Sequence, residues 1–325
     1  MPGDAITIVY ATHRRDPRFA WFADSLAGQL GDDAPEVVVV DGLHDRERGE
    51  QLAAVVDGRF PLVHVPAKPN AYNGAHRRTR RREYWAGSSA RNTGIVHATQ
   101  PYVVFVDDLA VLMPGWWEEA RIAAAGGYVV GGSYRKDGDM RVQQGVLTAS
   151  TALPSGLDTR WDLGADDRPV PVVGGQLYGC SLGAPRELLV AVNGFDELTS
   201  LASGDDVDIG LRLALAGETV HYARRMFTVE SNDFHHQEPV LHRIDRRLDE
   251  EAYMALLREY GVSRRETDGT FDANRFLLDR VIGAGDPRAI GNHYDLATLG
   301  PDDLEATAAD LPTHDWFTGR ALSEL

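Results

Sequence analysis

Cysteine is nearly absent from the 325-residue chain, because Cys180 is its only one. A single thiol excludes an internal disulfide and any zinc cluster built from several cysteines. We expect Cys180 to be a buried thiol. Long apolar runs are missing as well: the longest have the length of a strand, such as the valines between Glu36 and Asp41. A membrane-spanning helix needs about 20 apolar residues, so the sequence predicts no membrane span.

Positive charge is also scarce. The chain has 33 Lys and Arg residues but 49 Asp and Glu residues, so its net charge is -16. This balance argues against a protein that coats nucleic acid with its whole surface. The exception is the run Arg77–Arg82, which has five arginines in six residues. Such a run is either a solvated surface segment or a local field that gathers a phosphate-bearing ligand.

The size and the start of the chain set ordinary bounds. At 43% hydrophobic residues, the chain can bury a large core and suits one large domain with an extension, or two domains. The segment Met1–Asp4 leads directly into an apolar strand pattern, with no basic start and no signal-like segment. We therefore expect the protein to be cytoplasmic.

Strand and helix patterns alternate over the first 110 residues. The strand patterns are Ala5–Tyr10, Glu36–Val40, Pro61–Val65 and Tyr102–Val106, and the helix patterns are Pro17–Gln29, Gly49–Val56 and Ala90–Thr99. This order predicts a parallel sheet with helices on both faces. In such sheets the loops after the strands build the binding site. The segments expected to converge are therefore Thr12, Asp41, 66–74 and Asp107.

The run Tyr102–Asp108 ends in two adjacent carboxylates, Asp107 and Asp108. A strand interior tolerates ionised carboxylates poorly, so the pair is expected at the carboxyl end of the strand. That end of an open α/β sheet is where ligands and metal ions collect. The alternative is that both residues only cap the following turn.

Six short motifs occur in order along the first part of the chain. They are Ile6–Arg15, Val38–Asp41, Asn73-Gly74, Ala90–Ile95, Phe105–Asp108 and Met113–Trp116. In this order and spacing they resemble family 2 glycosyltransferases with the GT-A fold. Two later motifs, Asn193–Glu197 and Gly204–Leu213, resemble the acceptor-side block of that fold, which is also similar in galactosyl- and N-acetylgalactosaminyltransferases.

The resemblance implies a fold and a domain division. It implies an α/β protein with the GT-A (nucleotide-diphospho-sugar transferase) fold, in which helices flank a mainly parallel central sheet. Residues 1–236 are expected to form the catalytic domain, and residues 237–325 a C-terminal helical extension. Within the extension we expect helices at Glu238–Tyr260 and Phe271–Ile282, which provide acceptor contacts or an oligomer interface.

The resemblance also implies a reaction, the transfer of a sugar from a UDP- or GDP-linked donor to an acceptor hydroxyl. Carried over position by position, it assigns donor binding to Thr12, Arg14, Asp41, Asn73, Arg91, Asp107 and Gly179. The guanidinium of Arg91 is suited to phosphate pairing, with a surface salt bridge as the alternative. Gly179 lies in the segment Val172–Gly183, which we expect to form one strand that shapes the donor pocket or simply packs.

The implied cofactor is Mn²⁺ or Mg²⁺, which would neutralise the leaving diphosphate. The Asp-x-Asp triplet typical of the family falls on residues 107–109, where the usual ligand position is Leu109. Leucine cannot bind a cation, so Asp108 or Asp107 takes over, or the enzyme depends less on metal than its relatives. We favour Asp108, because it would otherwise be an unpaired charge in the cleft. Further candidate ligands are His235 and His236, although Glu230 lies nearer the position at which many GT-A enzymes supply a histidine.

A second pair of carboxylates, Asp205 and Asp206, is the candidate for the chemical step. In an inverting transfer, a carboxylate removes the proton of the attacking acceptor hydroxyl. The resemblance assigns this role to Asp206, with Asp205 where a glutamate is more usual. The apolar pattern that follows predicts a helix, whose first turn would stabilise both ionised groups.

The acceptor and the role of the basic run stay open, since glycan, protein and nucleic acid are all compatible with the sequence. Arg77–Arg82 and the nearby Tyr84-Trp85 suit a loop that closes over the donor diphosphate. They also suit DNA, with a hydroxymethylated pyrimidine base as the acceptor. A third hypothesis, motivated by Leu109, is a catalytically silent nucleotide-sugar-binding or scaffold protein.

Overall fold

The computed structural model describes residues 5–69, 87–164, 168–197 and 205–235, together with 283, 285–288, 292 and 294–308. The strands are β1 Ile6–Thr12, β2 Glu36–Asp41, β3 Leu62–Pro66, β4 Tyr102–Asp107, β5 Ala110–Leu112, β6 Val129–Gln143, β7 Val146–Leu157, β8 Val170–Val172, β9 Ser181–Pro185 and β10 Val220–Ser231. The α-helices are α1 Phe19–Leu30, α2 Arg46–Val56, α3 Gly87–His97, α4 Trp116–Gly126, α5 Arg186–Ala191, α6 Asp205–Leu215 and α7 Asn232–His235.

The strands form one 10-stranded sheet with the order β3-β2-β1-β4-β9-β6-β10-β5, while β7 pairs with β6 and β8 with β10. Four neighbouring pairs are parallel: β2 with β3, β1 with β2, β1 with β4, and β6 with β10. Antiparallel pairs of β9, β5, β7 and β8 make the sheet mixed. The predicted α/β fold with a parallel central sheet is therefore confirmed.

Helices cover both faces of the sheet, as the alternating pattern predicts. Strands β2 and β4 are almost entirely buried, as expected of parallel strands with helices on both sides. On one face, Phe22 of α1 and Trp116 of α4 pack in a hydrophobic cluster with side chains of β1 and β2. On the other face, Ile95 of α3 and Leu213 of α6 pack with the alternate side chains of the same strands.

Strand register brings the carboxyl ends of the parallel strands into line. Thr12 is the partner of Asp41, and Ala11 that of Asp107. Asp41 in turn pairs with Pro66 at the end of β3. The ends of β1, β2, β3 and β4 therefore lie at one edge, as expected for Thr12, Asp41, Pro66 and Asp107, while residues 70–74 of the expected set lie outside the described residues.

The glycine-rich segment Val172–Gly183 is not a single strand, and that prediction is wrong. The strand β8 ends at Val172, a short 3₁₀ helix covers Gly174–Gln176, and β9 begins at Ser181. Gly174 lies directly against α6, where a Cβ atom would come within 2.3 Å of the Gly210 carbonyl oxygen. Here the glycines serve a close backbone approach between a turn and a helix, and not strand packing.

The described part of the C-terminal region lies against this domain. Short 3₁₀ helices cover Leu296–Thr298 and Pro301–Ala308, and both Leu296 and Leu304 are buried in the second hydrophobic cluster. The helices expected at Glu238–Tyr260 and Phe271–Ile282 lie outside the described residues. Within the part of the chain that can be described, no helix has the length and apolar character to cross a membrane.

Packing between α3 and β1 predicts a sharp difference between two glycines. A Cβ atom on Gly94 would lie 2.3 Å from Cγ1 of Val9, whereas one on Gly28 in α1 would meet no atom within 4 Å. Gly94→Ala is expected to lower the free energy of unfolding by about 1–3 kcal/mol through overpacking. Gly28→Ala is expected to raise it by up to about 1 kcal/mol, because alanine favours the helix.

Urea denaturation followed by far-UV circular dichroism measures both changes. Equal effects of the two substitutions would contradict the close packing of α3 on β1.

Candidate active site

One buried arginine joins the two pairs of carboxylates. Arg91 lies in α3, and its Nη2 donates to Asp107 Oδ1 at the end of β4, at 2.9 Å. Its Nη1 donates to Asp205 Oδ2 at the start of α6, at 2.7 Å. Burial alone would lower the pKa of the Arg91 guanidinium, but Asp205 and Asp107 raise it, so Arg91 remains charged. The carboxylates of the β4 end and of α6 therefore face each other across a single cation.

Gly179 lies beside the guanidinium of Arg91. A Cβ atom at residue 179 would be 2.7 Å from Nη2 of Arg91, so a larger residue would displace the guanidinium. The backbone N–H of Gly179 donates to Asp206 Oδ2 at 3.0 Å. The structure thus places Gly179 between Arg91 and Asp206, beside the residues that the sequence grouped with it.

Asp205 and Asp206 occupy the first turn of α6, as predicted from the sequence. Asp205 accepts hydrogen bonds from Arg91 and from Ser88 Oγ, the latter at 3.0 Å. Burial, together with the neighbouring charge of Asp205, raises the pKa of Asp206 to about 6. The two acids therefore differ in their partners: Asp205 is bound to a cation, whereas Asp206 titrates near neutrality.

Asp108 is directed toward the loop after β1. Its Oδ2 accepts from Thr12 Oγ1 at 2.8 Å, and its Oδ1 accepts from Arg14 Nε at 3.1 Å. Burial raises the pKa of Asp108 to about 6, although Arg14 and Thr12 act in the opposite direction. Arg14 also donates to the carbonyl oxygen of Phe234 in α7, at 3.2 Å. Both carboxylate oxygens of Asp108 thus bind protein groups that shape the first loop.

Asp41 organises the same loop from the end of β2. Its carboxylate accepts from Arg48 Nε and from the N–H of Leu43, and His64 Nε2 lies 3.1 Å from Oδ2. Burial alone would raise the pKa of Asp41, but the hydrogen bonds from His64 and Arg48 hold it below its usual value. Arg48 also donates to the carbonyl oxygens of residues 14 and 15. Asp41 therefore fixes the backbone beside Arg14 through Arg48.

Leu109 occupies the position of the expected metal ligand and is 1% exposed. Its backbone is left-handed, with φ of 66°, a conformation that costs roughly 1–2 kcal/mol for a residue other than glycine. Two hydrogen bonds hold it there, from its N–H to Pro17 and from the N–H of Ser231 to its carbonyl oxygen. The leucine side chain is thus part of the packed interior.

Glu230 is a further carboxylate in this region. The sequence did not predict a role for it. It lies in β10, where its register partner is Ala110 of β5, next to Leu109. Burial and the nearby charge of Asp107 raise its pKa to about 8. Its Oε1 atom is buried and has no hydrogen-bond partner among the described residues, while Lys136 Nζ lies 3.8 Å from Oε2. The only sequence signal for Glu230 was its position near the histidine that many GT-A enzymes use.

The residues at this edge offer oxygen ligands for a hard divalent cation. Among the described residues, no three His, Cys, Asp or Glu side chains form a ready-made metal cluster. The side chain of Asp107 is 39% exposed, however, and Glu230 contributes an unpartnered carboxylate oxygen. A cation that also binds a ligand's phosphate oxygens fits this donor set.

Some predicted residues lie outside the described part of the chain. They are Asn73, His236 and the arginine run Arg77–Arg82. For His235 only the backbone is described, as the end of α7. Cys180 is a buried thiol, as predicted, and burial raises its pKa well above the usual value.

The motif Asn193–Glu197 holds the start of α3. Asn92, next to Arg91, donates to the carbonyl oxygen of Phe195 at 2.8 Å and accepts from its N–H at 2.8 Å. Lys68, after β3, forms a buried ion pair with Glu197 at 2.9 Å. Tyr294 of the C-terminal region donates to Glu197 and lies with its ring 4.5 Å from Lys68 Nζ. The motif therefore fixes α3 in place beside the site.

The sheet, the helices on both faces and the acidic strand ends have the arrangement of the GT-A fold. The chain belongs to glycosyl transferase family 2, because that family matches residues 7–178, more than half of the chain. The match includes Arg14, Arg91 and the acid pair after β4, and it ends before Gly179 and α6.

Comparison with other proteins adds a structural likeness. The mannosyltransferase PcManGT from Pyrobaculum calidifontis, solved in complex with GDP-Man and Mn²⁺, is 17% identical to the chain. The superposition has a TM-score of 0.48 and covers 96% of this chain and 81% of that one. No curated protein sequence matches the chain.

The bridge made by Arg91 predicts a large loss of stability when it is removed. In Arg91→Met, Asp107 and Asp205 lose their cation. Breaking a buried pair costs about 3–5 kcal/mol, and because Asp107 is partly exposed we expect roughly 2–4 kcal/mol. Arg46→Met removes an exposed ion pair with Glu50 and is expected to cost less than about 1 kcal/mol. Urea titration of both variants measures the difference, and similar losses would contradict a central role for the Arg91 bridge.

Proposed function

We propose that the protein transfers a sugar from a nucleotide-sugar donor to an acceptor hydroxyl, with inversion and with Asp206 as the general base. The observation that supports this most is the bridge from Asp107 through Arg91 to Asp205. It fixes the donor-side acids at the end of β4 relative to the acids of α6. A displacement reaction needs such fixed positions for the group that activates the nucleophile and the groups that face the leaving diphosphate.

The environments of the two α6 acids support Asp206, and not Asp205, as the base. Asp205 is held by Arg91 and Ser88, so both a cation and a hydroxyl stabilise its charge. Asp206 has a pKa of about 6, near the pH at which a general base works well. Two backbone groups orient its carboxylate: the N–H of Gly179 donates to Oδ2 at 3.0 Å and the N–H of Val207 donates to Oδ1 at 2.8 Å. In the proposed reaction Asp206 removes the proton of the acceptor hydroxyl as that oxygen attacks the anomeric carbon.

The loop after β1 is proposed to receive the nucleotide of the donor. Thr12, Arg14 and Asp41 all lie at its base, but their side chains bind one another or other protein groups. We infer that Asp41 and Asp108 act mainly by shaping this loop, with Arg48 and Arg14 as their partners. A UDP- or GDP-linked sugar remains the proposed donor class.

A divalent cation, Mn²⁺ or Mg²⁺, is proposed to bind through Asp107 and Glu230. The oxygens of Asp108 are used by Thr12 and Arg14, which makes it less suited to a cation than its position in the sequence indicates. Asp107 is more exposed, and the unpartnered oxygen of Glu230 lies in the same charge cluster. When bound, the cation would supply neutralisation of the diphosphate charge.

The other hypotheses from the sequence gain no support. The DNA hypothesis depends on Arg77–Arg82, which lie outside the described residues, so no contact favours it. A silent binding protein was suggested by Leu109, yet Asp206 keeps a geometry and a pKa suited to catalysis. Donor turnover separates these hypotheses from the proposed function.

The proposed metal site predicts how substitutions change cation affinity. Asp107→Asn is expected to weaken Mn²⁺ binding, measured by calorimetry with UDP or GDP present, by about tenfold or more, or ~1.4 kcal/mol. Glu230→Gln is expected to weaken it by a smaller factor, because one neutral oxygen ligand remains. Glu118→Gln, which removes an exposed carboxylate elsewhere, should leave affinity unchanged. Unchanged affinity in Asp107→Asn would rule out this site.

The proposed base predicts the pH dependence of the reaction. Hydrolysis and transfer of UDP- and GDP-sugars are expected to fall as the pH drops through about 6, because protonated Asp206 cannot accept the hydroxyl proton. Asp206→Asn is expected to reduce kcat by about 10²–10⁴-fold without this pH dependence. Activity that survives the substitution with the same pH profile would exclude Asp206 as the base.

The pH dependence of the free energy of unfolding provides the control that Asp206→Asn is folded. Between the ordinary aspartate value of 3.8 and about 6, folded Asp206 keeps a proton that the unfolded chain has lost. Folding stability of the wild type therefore decreases as the pH rises through this window. This part of the pH dependence is expected to be absent from Asp206→Asn, which should remain folded.

A further inference from the structure

A buried ion pair that the proposed reaction does not use, Arg160 with Asp158, is anchored to the segment that precedes Gly179. Arg160 is 1% exposed, and its Nε and Nη2 donate to the two oxygens of Asp158 at 2.9 and 2.8 Å. Arg160 also donates to the carbonyl oxygens of Gln176 and Gly132, each at 2.7 Å. A buried ion pair is costly to desolvate and adds little to stability compared with apolar packing, so its position is informative.

The pair supports two tyrosines. The guanidinium of Arg160 lies 4.0 Å from the centre of the Tyr178 ring, within the distance of a cation–π contact. Asp158 accepts from the backbone N–H of Tyr134 at 3.4 Å. The rings of Tyr134 and Tyr178 are 5.8 Å apart and meet edge to face at 70°. Both rings are half-buried, so part of each is open to a ligand.

The tyrosines adjoin the proposed base. Tyr178 immediately precedes Gly179, whose N–H binds Asp206. The Tyr134 ring meets the Tyr178 ring edge to face, so the aromatic pair adjoins the glycine that binds Asp206. An acceptor whose hydroxyl reaches Asp206 therefore approaches the segment that carries Tyr178.

We propose that Tyr134 and Tyr178 form the acceptor subsite, that its ligand is a sugar ring, and that Asp158 and Arg160 position the pair. This inference rests on the proposed function. A sugar ring has an apolar face of C–H groups, which packs on an electron-rich aromatic face, and hydroxyls at its edge. The exposed Thr159, whose Oγ1 lies 3.5 Å from the Tyr178 hydroxyl, adds a polar group at the rim. A nucleobase on DNA is disfavoured by the net charge of -16.

The test compares three variants with the wild type. Tyr178→Ala removes the ring, Tyr178→Phe keeps it without the hydroxyl, and Tyr128→Ala is the matched control. Tyr128 is also half-buried in an aromatic contact, with His221, but it precedes β6 at the opposite edge of the sheet. The probes are methyl glycosides of mannose, glucose and galactose, together with cytidine to represent a nucleobase.

Two readouts are used. Saturation-transfer NMR measures binding of each probe without donor, and a donor assay measures the ratio of transfer to hydrolysis. Tyr178→Ala is expected to reduce both glycoside binding and that ratio by about tenfold. Tyr178→Phe should retain most of both, and Tyr128→Ala should match the wild type.

Arg160→Lys tests the positioning role, because lysine keeps the charge but cannot bridge Asp158 and both carbonyls. It is expected to raise KM for the glycoside more than it lowers kcat. If Arg160→Lys does not fold, the comparison of Tyr178→Ala with Tyr178→Phe by itself decides whether the tyrosine ring binds the sugar.

The outcomes separate the subsite from the proposed function. A wild type that hydrolyses no donor contradicts the proposed function, whereas the NMR measurement still decides whether the tyrosines bind a sugar. Donor hydrolysis with an unchanged transfer ratio in Tyr178→Ala overturns the subsite alone. Binding of cytidine but of no glycoside, or of no probe at all, also overturns it.

Discussion

The arrangement of the site depends on one buried cation between acids from two distant parts of the chain. Arg91 can be buried because Asp107 and Asp205 both compensate its charge, and each acid is in turn held by the arginine. Since the guanidinium passes through the space beside residue 179, a side chain there would displace it. The constraint then reaches Asp206, because the N–H of the same glycine orients its carboxylate.

The position of Arg91 depends on the anchoring of α3. Asn92 is bound to both backbone groups of Phe195, and Gly94 packs against Val9 of the central sheet. The buried ion pair of Lys68 and Glu197 also belongs to this anchor of α3, and Tyr294 contacts both residues. Residues far from the acids therefore contribute to their geometry, because they fix the helix that carries the arginine.

The sequence predicted those features that depend on local pattern. Buried valine-rich strands and a following acid pair identified β4 and its end, and three acids before an apolar helix pattern identified the first turn of α6. The contacts between these elements were not predictable, because the partners of Arg91 are 16 and 114 residues away along the chain. The same reason explains why the sequence pattern of residues 172–183 predicts a single strand that the structure does not have. Gly174 in this segment lies against Gly210 of α6, and nothing near Gly174 in the sequence reveals that contact.

Residue 109 is a leucine where the family motif has an acid, but β10 provides a carboxylate nearby, that of Glu230. The left-handed backbone of Leu109 turns the chain from β4 into β5, so that its side chain enters the interior while Asp107 stays at the open edge. Because β5 pairs with β10, Glu230 lies opposite Ala110, and Ser231 binds the Leu109 carbonyl oxygen directly. A carboxylate is thus present one strand away from the position where the family motif would place one. Since Asp107 raises the pKa of Glu230, the two acids share one electrostatic environment, although they lie on different strands.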